Sequence, residues 1–357
     1  MSNRTLFAPR LSFALLGLVL AACGQEAAAP AAQVEVGPYS VTPELIAAAT
    51  AEGTVSYYTS LDLVVAERMA SVFEAKYPGI DVRVERAGSE RVFQRIGQES
   101  AAGIHNADVT DTSDAVHFAY FKHHGLLAHA VPDELSVYPA DVKDPDGFYA
   151  AFRADLSVIA YNETLVAPED VPTGFADLLD PKWRGRMVKG HPGYSGTIMT
   201  ATHTLSEVMG WEYFAALGQQ DIMQVQSSND PPKKLALGER ALQVDGNEYV
   251  VVQQQLAGVP LKIVYAVEGT PLVVGNAAIL RDAPHPNAAR LFYAFMFTLE
   301  AQQQNSDIGA IRSFHPEVVD KSGRPSLNEI KLLYSNPDDL ETHLQDIRQR
   351  YEEYFGT

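Results

Sequence analysis

The sequence predicts an α/β fold of two regions, with the chain leaving the first, building the second and then returning. Three observations lead there. Short β-prone runs alternate with helical spacings from Gly53 onward, breakers such as Tyr77-Pro78-Gly79 separate them, and a strand followed by an apolar helix reappears from Ala277. Strand–helix–strand units of this length pair in parallel through right-handed crossovers.

Thr54-Val55-Ser56-Tyr57-Tyr58 reads as the first strand, and Val65, Met69, Val72 and Phe73 then fall on one helical face. Ile80 to Val84 alternates like a strand, and Ser89 is placed to cap a helix carrying Val92, Phe93 and Ile96. Ala107-Asp108-Val109 is a third strand, followed by a helix ending near Gly125. The second region opens near Phe148, with a buried-type strand at Leu156–Tyr161 and a turn at Asn162. A loop at Pro181–Gly185 leads to Met187-Val188, and Pro192–Thr197 opens a helix with Ile198, Ala201, Leu205 and Val208 on its apolar side. Strands follow at Ala241–Val244 and Leu261–Tyr265. After Ala277–Leu280 come a helix rich in large apolar residues and a last helical stripe of Leu340, Leu344, Ile347 and Tyr351, best read as packing on a lobe.

The N-terminus sets the expected compartment. Arg4 and Arg10 are the only charges before position 25, and the apolar run Leu11–Ala22 is too short to span a bilayer. It reads as an export signal ending in Leu20-Ala21-Ala22-Cys23, which resembles the bacterial lipoprotein signal with Cys23 as the lipidated residue. Cys23 is the only cysteine in 357 residues. Lipidation would leave no thiol for disulfides, metal sites or nucleophilic catalysis. The stretch from Gly24 to about Pro38 lacks core-forming periodicity and reads as a disordered tether. The chain carries a net charge of −18, and loss of the signal removes two arginines and no acids. Such a surface repels phosphate backbones and argues against nucleic acid as a partner, without forbidding an anion in a local pocket.

Six segments, in order, carry a family resemblance: Val55–Ser60, Phe73–Ile80, Ala107–Val109, Ala160–Asn162, Gly193–Thr197 and Ala283–Ala289. Together they resemble the periplasmic binding proteins of the ferric-iron type, within the type II binding-protein fold. The resemblance implies two lobes, each a mixed sheet flanked by helices, joined by two crossing strands and closing on a solute. It places 53–150 and 275–357 in the first lobe and 151–274 in the second, after a signal at 1–22 and a lipidated tether and lead-in at 23–52. It also implies a monomer in the periplasm or cell envelope, held to the membrane by its lipid, that delivers solute to the membrane subunits of an ABC importer.

Candidate ligand residues sit where strands end in polar turns, the usual ligand position in open α/β sheets. Thr59 and Ser60 follow the first strand and Ser113 the third. Ser195, Gly196 and Thr197 open a helix whose free amides and dipole favour an anion, although the same residues make an ordinary helix cap. Asn229 stands in a Ser-Ser-Asn loop that faces the cleft in the family and otherwise reads as a surface turn. Asn247 and Tyr249 match part of the family's Asn-x-Tyr-Tyr run, and Tyr161 matches a tyrosine on a crossing strand of some members; both tyrosines also read as packing residues. Val250 replaces the run's second tyrosine, Leu61 and Asp62 stand where a histidine or tyrosine is expected, and Ser113 stands where some members have glutamate. Asp62 and Glu248 are only substitutes as donors. The expected solute is therefore a small organic anion (a phosphonate, sugar phosphate or carboxylate), with no metal and no cofactor. Ferric iron or a ferric chelate, held by Tyr161 and Tyr249, is the alternative.

An enzyme is not expected. Gly193-Tyr194-Ser195-Gly196-Thr197 lacks the last glycine of a hydrolase elbow, no His-Glu-x-x-His is present, and His123 and His124 point to different helix faces. A secreted hydrolase and a purely structural lipoprotein remain the rival classes.

Overall fold

In the computed structural model, residue 1 and residues 37–356, apart from 321, are described. The export signal, Cys23 and the tether fall outside them. The expected β-α alternation builds two large sheets, beside a two-stranded pair of Pro38–Tyr39 with Val131–Pro132, and Gln33–Thr357 forms one compact unit.

The first sheet has the strand order Leu332–Tyr334, Thr270–Ile279, Val109–Thr112, Thr54–Thr59, Asp81–Arg86, with Ala150–Leu156 also paired to Thr270–Ile279. Thr54–Thr59 is parallel to both of its neighbours, whereas Thr270–Ile279 runs antiparallel to Val109–Thr112 and Ala150–Leu156. The helix Leu63–Lys76 buries Val65, Met69 and Phe73 as the spacing predicts, and Asp62 caps its first turn. Gly79, at φ 100°, makes the turn after Tyr77-Pro78 that only a glycine adopts easily. The second sheet has the order Leu261–Val264, Ile159–Asn162, Leu242–Gln243, Met187–Gly190, Met223–Val225 and is mixed as well. The chain passes from Ala150–Leu156 into Ile159–Asn162, and back from Leu261–Val264 into Thr270–Ile279.

The structure differs from the sequence reading in several places. Residues 43–52 are a helix, not part of a lead-in; Leu45 and Ala49 are buried in the first core, and the Glu52 carboxylate accepts from the backbone N–H groups of Asn287 and Ala288. The alanine-rich stretch resembled the tether because its buried stripe is only two residues wide. Ser89 is not the cap of its helix: Gly88 holds that position, and the Ser89 hydroxyl bonds elsewhere. Val208 is 49% exposed, because the packing of the helix Gly196–Met209 ends at Ser206. The final helix, Pro337–Phe355, buries Leu340, Ile347 and Tyr351, but against the second region as well as the first. Its stripe meets Val116, Met199 and Trp211, and Tyr351 Oη donates to Gln224 at 2.7 Å. Assigning 275–357 wholly to the first lobe thus fails at this helix.

Candidate functional site

The ends of the parallel strands meet the second sheet along a closed seam. Arg153 lies at its floor. The strand Ala150–Leu156 places Arg153 and Asp155 at alternate positions, hence on one face, while Ala154 and Leu156 pack into a core cluster. Gly275 makes room for the arginine stem: a Cβ there would lie 2.7 Å from Arg153 Cγ.

Arg153 Nη1 stands 3.0 Å from Asp155 Oδ2, and Nη2 stands 3.1 Å from Asp111 Oδ1 and donates to Ser60 Oγ at 3.0 Å. Tyr57 Oη donates to Asp111 Oδ2 at 2.6 Å, the Thr59 hydroxyl donates to the same oxygen, and Leu61 N donates to Thr59 Oγ1 at 2.9 Å. Burial pushes the Asp155 carboxyl up to about 6, against the pull of Arg153. Burial works against the Arg153 charge too, but Asp155 and Asp111 together hold its pKa above the ordinary value.

The loop before Asp230–Ala236 and the start of the helix Glu248–Leu256 bring Asn229, Asn247 and Tyr249 to this floor. Asn247 Nδ2 donates to Ser228 Oγ at 3.0 Å and to Asn229 Oδ1 at 2.5 Å, and Tyr249 Oη donates to Asn229 Oδ1 at 2.9 Å. Asn229 is therefore a buried member of the seam and not a surface turn. Ser157 pairs with Asn247 in an isolated bridge. Burial raises the Tyr249 phenol well above its usual value; the Asp155 charge adds to this and the Arg153 charge opposes it.

Buried polar atoms rarely go without a partner. Arg153 Nε, Asp155 Oδ1, Asn247 Oδ1 and Ser157 Oγ are buried with no hydrogen-bond partner among the described residues. One donor, Arg153 Nε, which lies beside Gly275, and three oxygens are thus left over at the floor once these contacts are counted.

The rim of the seam is different. Gly196 N donates to Ser89 Oγ at 2.7 Å, and a Cβ on Gly196 would lie 2.5 Å from Asp114 Cβ and 2.8 Å from Ser113 O. Ser195 Oγ accepts from Ile198 N at 3.5 Å, as a cap does. The anion cradle expected at Ser195–Thr197 is thus closed in this structure, its first amide taken by the other lobe and the Asp114 carboxyl beside it. Arg91 Nη2 to Gln226 Oε1, at 2.9 Å, also joins the lobes. A pocket of about 500 Å3 opens beside this rim between Glu90, Gln94, His191, Tyr194, Gln226 and Arg348.

The two tyrosines that the iron alternative requires pack in different core clusters. Tyr161 packs at the second-lobe core, whereas Tyr249 packs in the first-lobe core. Glu248, a candidate donor, is committed elsewhere: it accepts from Arg312 Nε at 2.7 Å and Nη2 at 2.8 Å, from Arg324 Nη1 at 2.9 Å and from Tyr265 Oη. Asp62 caps its own helix through Val64 N and lies 3.8 Å from Lys233 Nζ. Sequence reasoning missed Arg153, Asp155 and Asp111. A signal existed for the first two, since two charges inside the apolar run Ala150–Tyr161 call for a buried partner.

A two-lobed α/β protein with a polar seam at its crossing strands is the architecture of solute-binding proteins. Residues 105–331, more than half of the chain, match the bacterial extracellular solute-binding protein family, and the chain belongs to it. It is 21% identical over 286 residues to a probable ABC transporter periplasmic-binding protein of Sinorhizobium fredii, covering 76% of this chain and 78% of that one. Its fold is similar to the periplasmic binding protein AfuA of Actinobacillus pleuropneumoniae with fructose-6-phosphate bound (TM-score 0.78, 23% identity, 85% of this chain and 99% of that one). It is also similar to iron-bound HitA of Pseudomonas aeruginosa (TM-score 0.72, 22% identity, 83% and 99%). The protein is a periplasmic-type solute-binding component of an ABC transporter, a class that binds a small solute and meets membrane permease subunits.

Proposed function

We propose that the solute is a small organic anion with hydroxyl groups, of the sugar phosphate, phosphonate or carboxylate kind, held at the floor of the seam. The observation that carries this is the set of unpaired buried atoms around Arg153. A guanidinium with a free N–H suits an oxyanion, and charge-assisted bonds of this kind are the strong ones. Asp155 Oδ1 and Asn247 Oδ1 are acceptors suited to hydroxyls. The fold likeness to AfuA, whose structure holds fructose-6-phosphate, supports the same chemistry. Thr59, Ser60, Asn229 and Tyr249 frame the site, and the lobes part at Ser113 and Gly196 to admit the solute.

Ferric iron is the second reading, favoured by the likeness to iron-bound HitA. The donor set here does not suit it. Iron needs a phenolate, but burial raises the Tyr249 phenol well above its usual value, and its hydroxyl donates a hydrogen bond to Asn229 Oδ1. The test is the visible spectrum on adding ferric citrate. A colourless protein that binds a hexose phosphate supports the proposal; an intense visible band that disappears in Tyr249→Phe restores iron.

We also propose that Cys23 carries a lipid anchor, on the strength of the apolar run and the single cysteine that ends it. Cys23→Ala is expected to leave the protein unanchored or unprocessed; unchanged partitioning into detergent contradicts this.

A further inference from the structure

Away from the seam, the final helix meets the second-lobe helix Gly196–Met209 through a cluster of metal-ligating side chains. His203 Nε2 lies 2.8 Å from Asp339 Oδ2, and His343 Nδ1 lies 3.3 Å from Asp339 Oδ1. Among the described residues this is the one grouping of three His, Cys, Asp or Glu side chains with candidate ligand atoms within 4.8 Å of one another. We infer that His203, Asp339 and His343 form a binding site for a borderline divalent cation of the zinc class, which staples the final helix to the second lobe.

The donor chemistry points to that class. Two imidazoles and one carboxylate suit zinc, whereas calcium and magnesium ask for oxygen ligands. Donor atoms around a tetrahedral zinc stand about 3.3 Å apart, given metal–ligand bonds of about 2.0–2.1 Å. The His343 distance to Asp339 Oδ1, 3.3 Å, matches that value, and the His203 distance to Asp339 Oδ2, 2.8 Å, is about half an ångström shorter and opens slightly when a cation enters.

The surroundings are built for orientation. Asp339 and His343 are one turn apart and share a helix face. His203 is buried, and its other nitrogen, Nδ1, lies 3.1 Å from Ser335 Oγ. That bond fixes the ring with Nε2 toward Asp339, as an outer partner does for a metal-bound histidine. His343 and Asp339 are 47% and 44% exposed at their side chains, which leaves an entry path and a fourth position for water. His343 Nδ1 also lies 2.8 Å from the Asp339 carbonyl oxygen, so coordination through Nδ1 replaces that hydrogen bond. The chain's net charge of −18 favours approach of a cation.

The test uses the chain with Cys23→Ser, which removes its single thiol, stripped with chelator and then equilibrated with Zn2+ alone. The expected result is one zinc per chain, with tetrahedral Co2+ absorption when cobalt replaces it. His343→Ala, a half-exposed change that leaves the metal-free melting curve as in the parent, is expected to lose the bound zinc. Ser335→Ala is expected to weaken affinity about 10–100-fold. No zinc retained by the parent, or zinc retained equally by His343→Ala, would overturn the assignment.

Discussion

The floor and the rim of the seam use the same kinds of residue in opposite ways. At the rim, the Ser195 hydroxyl caps its own helix and Gly196 N is satisfied by Ser89 of the other lobe. At the floor, Arg153, Asp155, Asn247 and Ser157 each keep a buried polar atom without a hydrogen-bond partner among the described residues. A loop that looks like an anion cradle by its letters has become a latch between lobes. The buried charges at Arg153 and Asp155, where the binding is proposed, lie instead on a crossing strand, where no motif marks them.

The largest expected effect breaks the floor. Arg153→Ala leaves Asp111 and Asp155 buried without their cation, and breaking a buried pair costs about 3–5 kcal/mol. The denaturant midpoint should fall accordingly, and a midpoint like the parent's would contradict the reading. Arg153→Lys keeps the charge but loses the fork. It should weaken binding of a hexose phosphate at least tenfold, the loss of a charge-assisted hydrogen bond being about 1.5–3 kcal/mol.

At the rim, Gly196→Val tests the latch. Its side chain meets Ser113 and Asp114, and overpacking of this kind costs about 1–3 kcal/mol against the closed state. Small-angle scattering should show a variant that does not contract when solute is added, with melting close to the parent's. Normal contraction would show that the contact at Gly196 does not limit closure.

Acidity sharpens the contrast, because the floor titrates through Asp155, raised to about 6 by burial. Below that value Asp155 is neutral and no longer offsets Arg153, so an anion binds more tightly. The sign for stability is the same: what neutral Asp155 contributes is present at low pH and lost as pH rises through about 6. Asp155 should contribute a fall of up to about tenfold in affinity for a hexose phosphate between pH 5 and pH 7, one pKa unit being worth 1.36 kcal/mol, set against the gain from the phosphate's own second ionisation near pH 6. In Asp155→Asn this contribution should vanish and leave only the slope of the phosphate's own second ionisation near pH 6; a profile identical to the parent's would contradict the assignment to Asp155. The smallest effect is expected at Tyr249→Phe, which removes one neutral hydrogen bond worth about 0.5–1.5 kcal/mol.

Much of the fold was legible because its signals are local. The stripe Val65, Met69, Phe73 and the breaker Tyr77-Pro78-Gly79 lie within one helix and its turn, and both appear as read. The stripe on the final helix was equally plain, but its partners Met199 and Trp211 are more than a hundred residues away, so the lobe it covers was not. Ser89 shows the same limit. Its letter fits a cap, yet the partner that claims its hydroxyl is Gly196. Asn229, Asn247 and Tyr249 were found through the family resemblance, and the structure brings them together. Tyr161 was found the same way and lies elsewhere, because its neighbours in the sheet turn it into the second core.

The central claim is that Arg153 receives an organic anion between the lobes. Mass spectrometry of the solute released from the purified protein, with a metal assay on the same sample, tests it most directly. The account predicts an acidic, hydroxyl-bearing molecule in the parent, absent from Arg153→Lys, and no iron. Stoichiometric ferric iron released with no organic anion would contradict it.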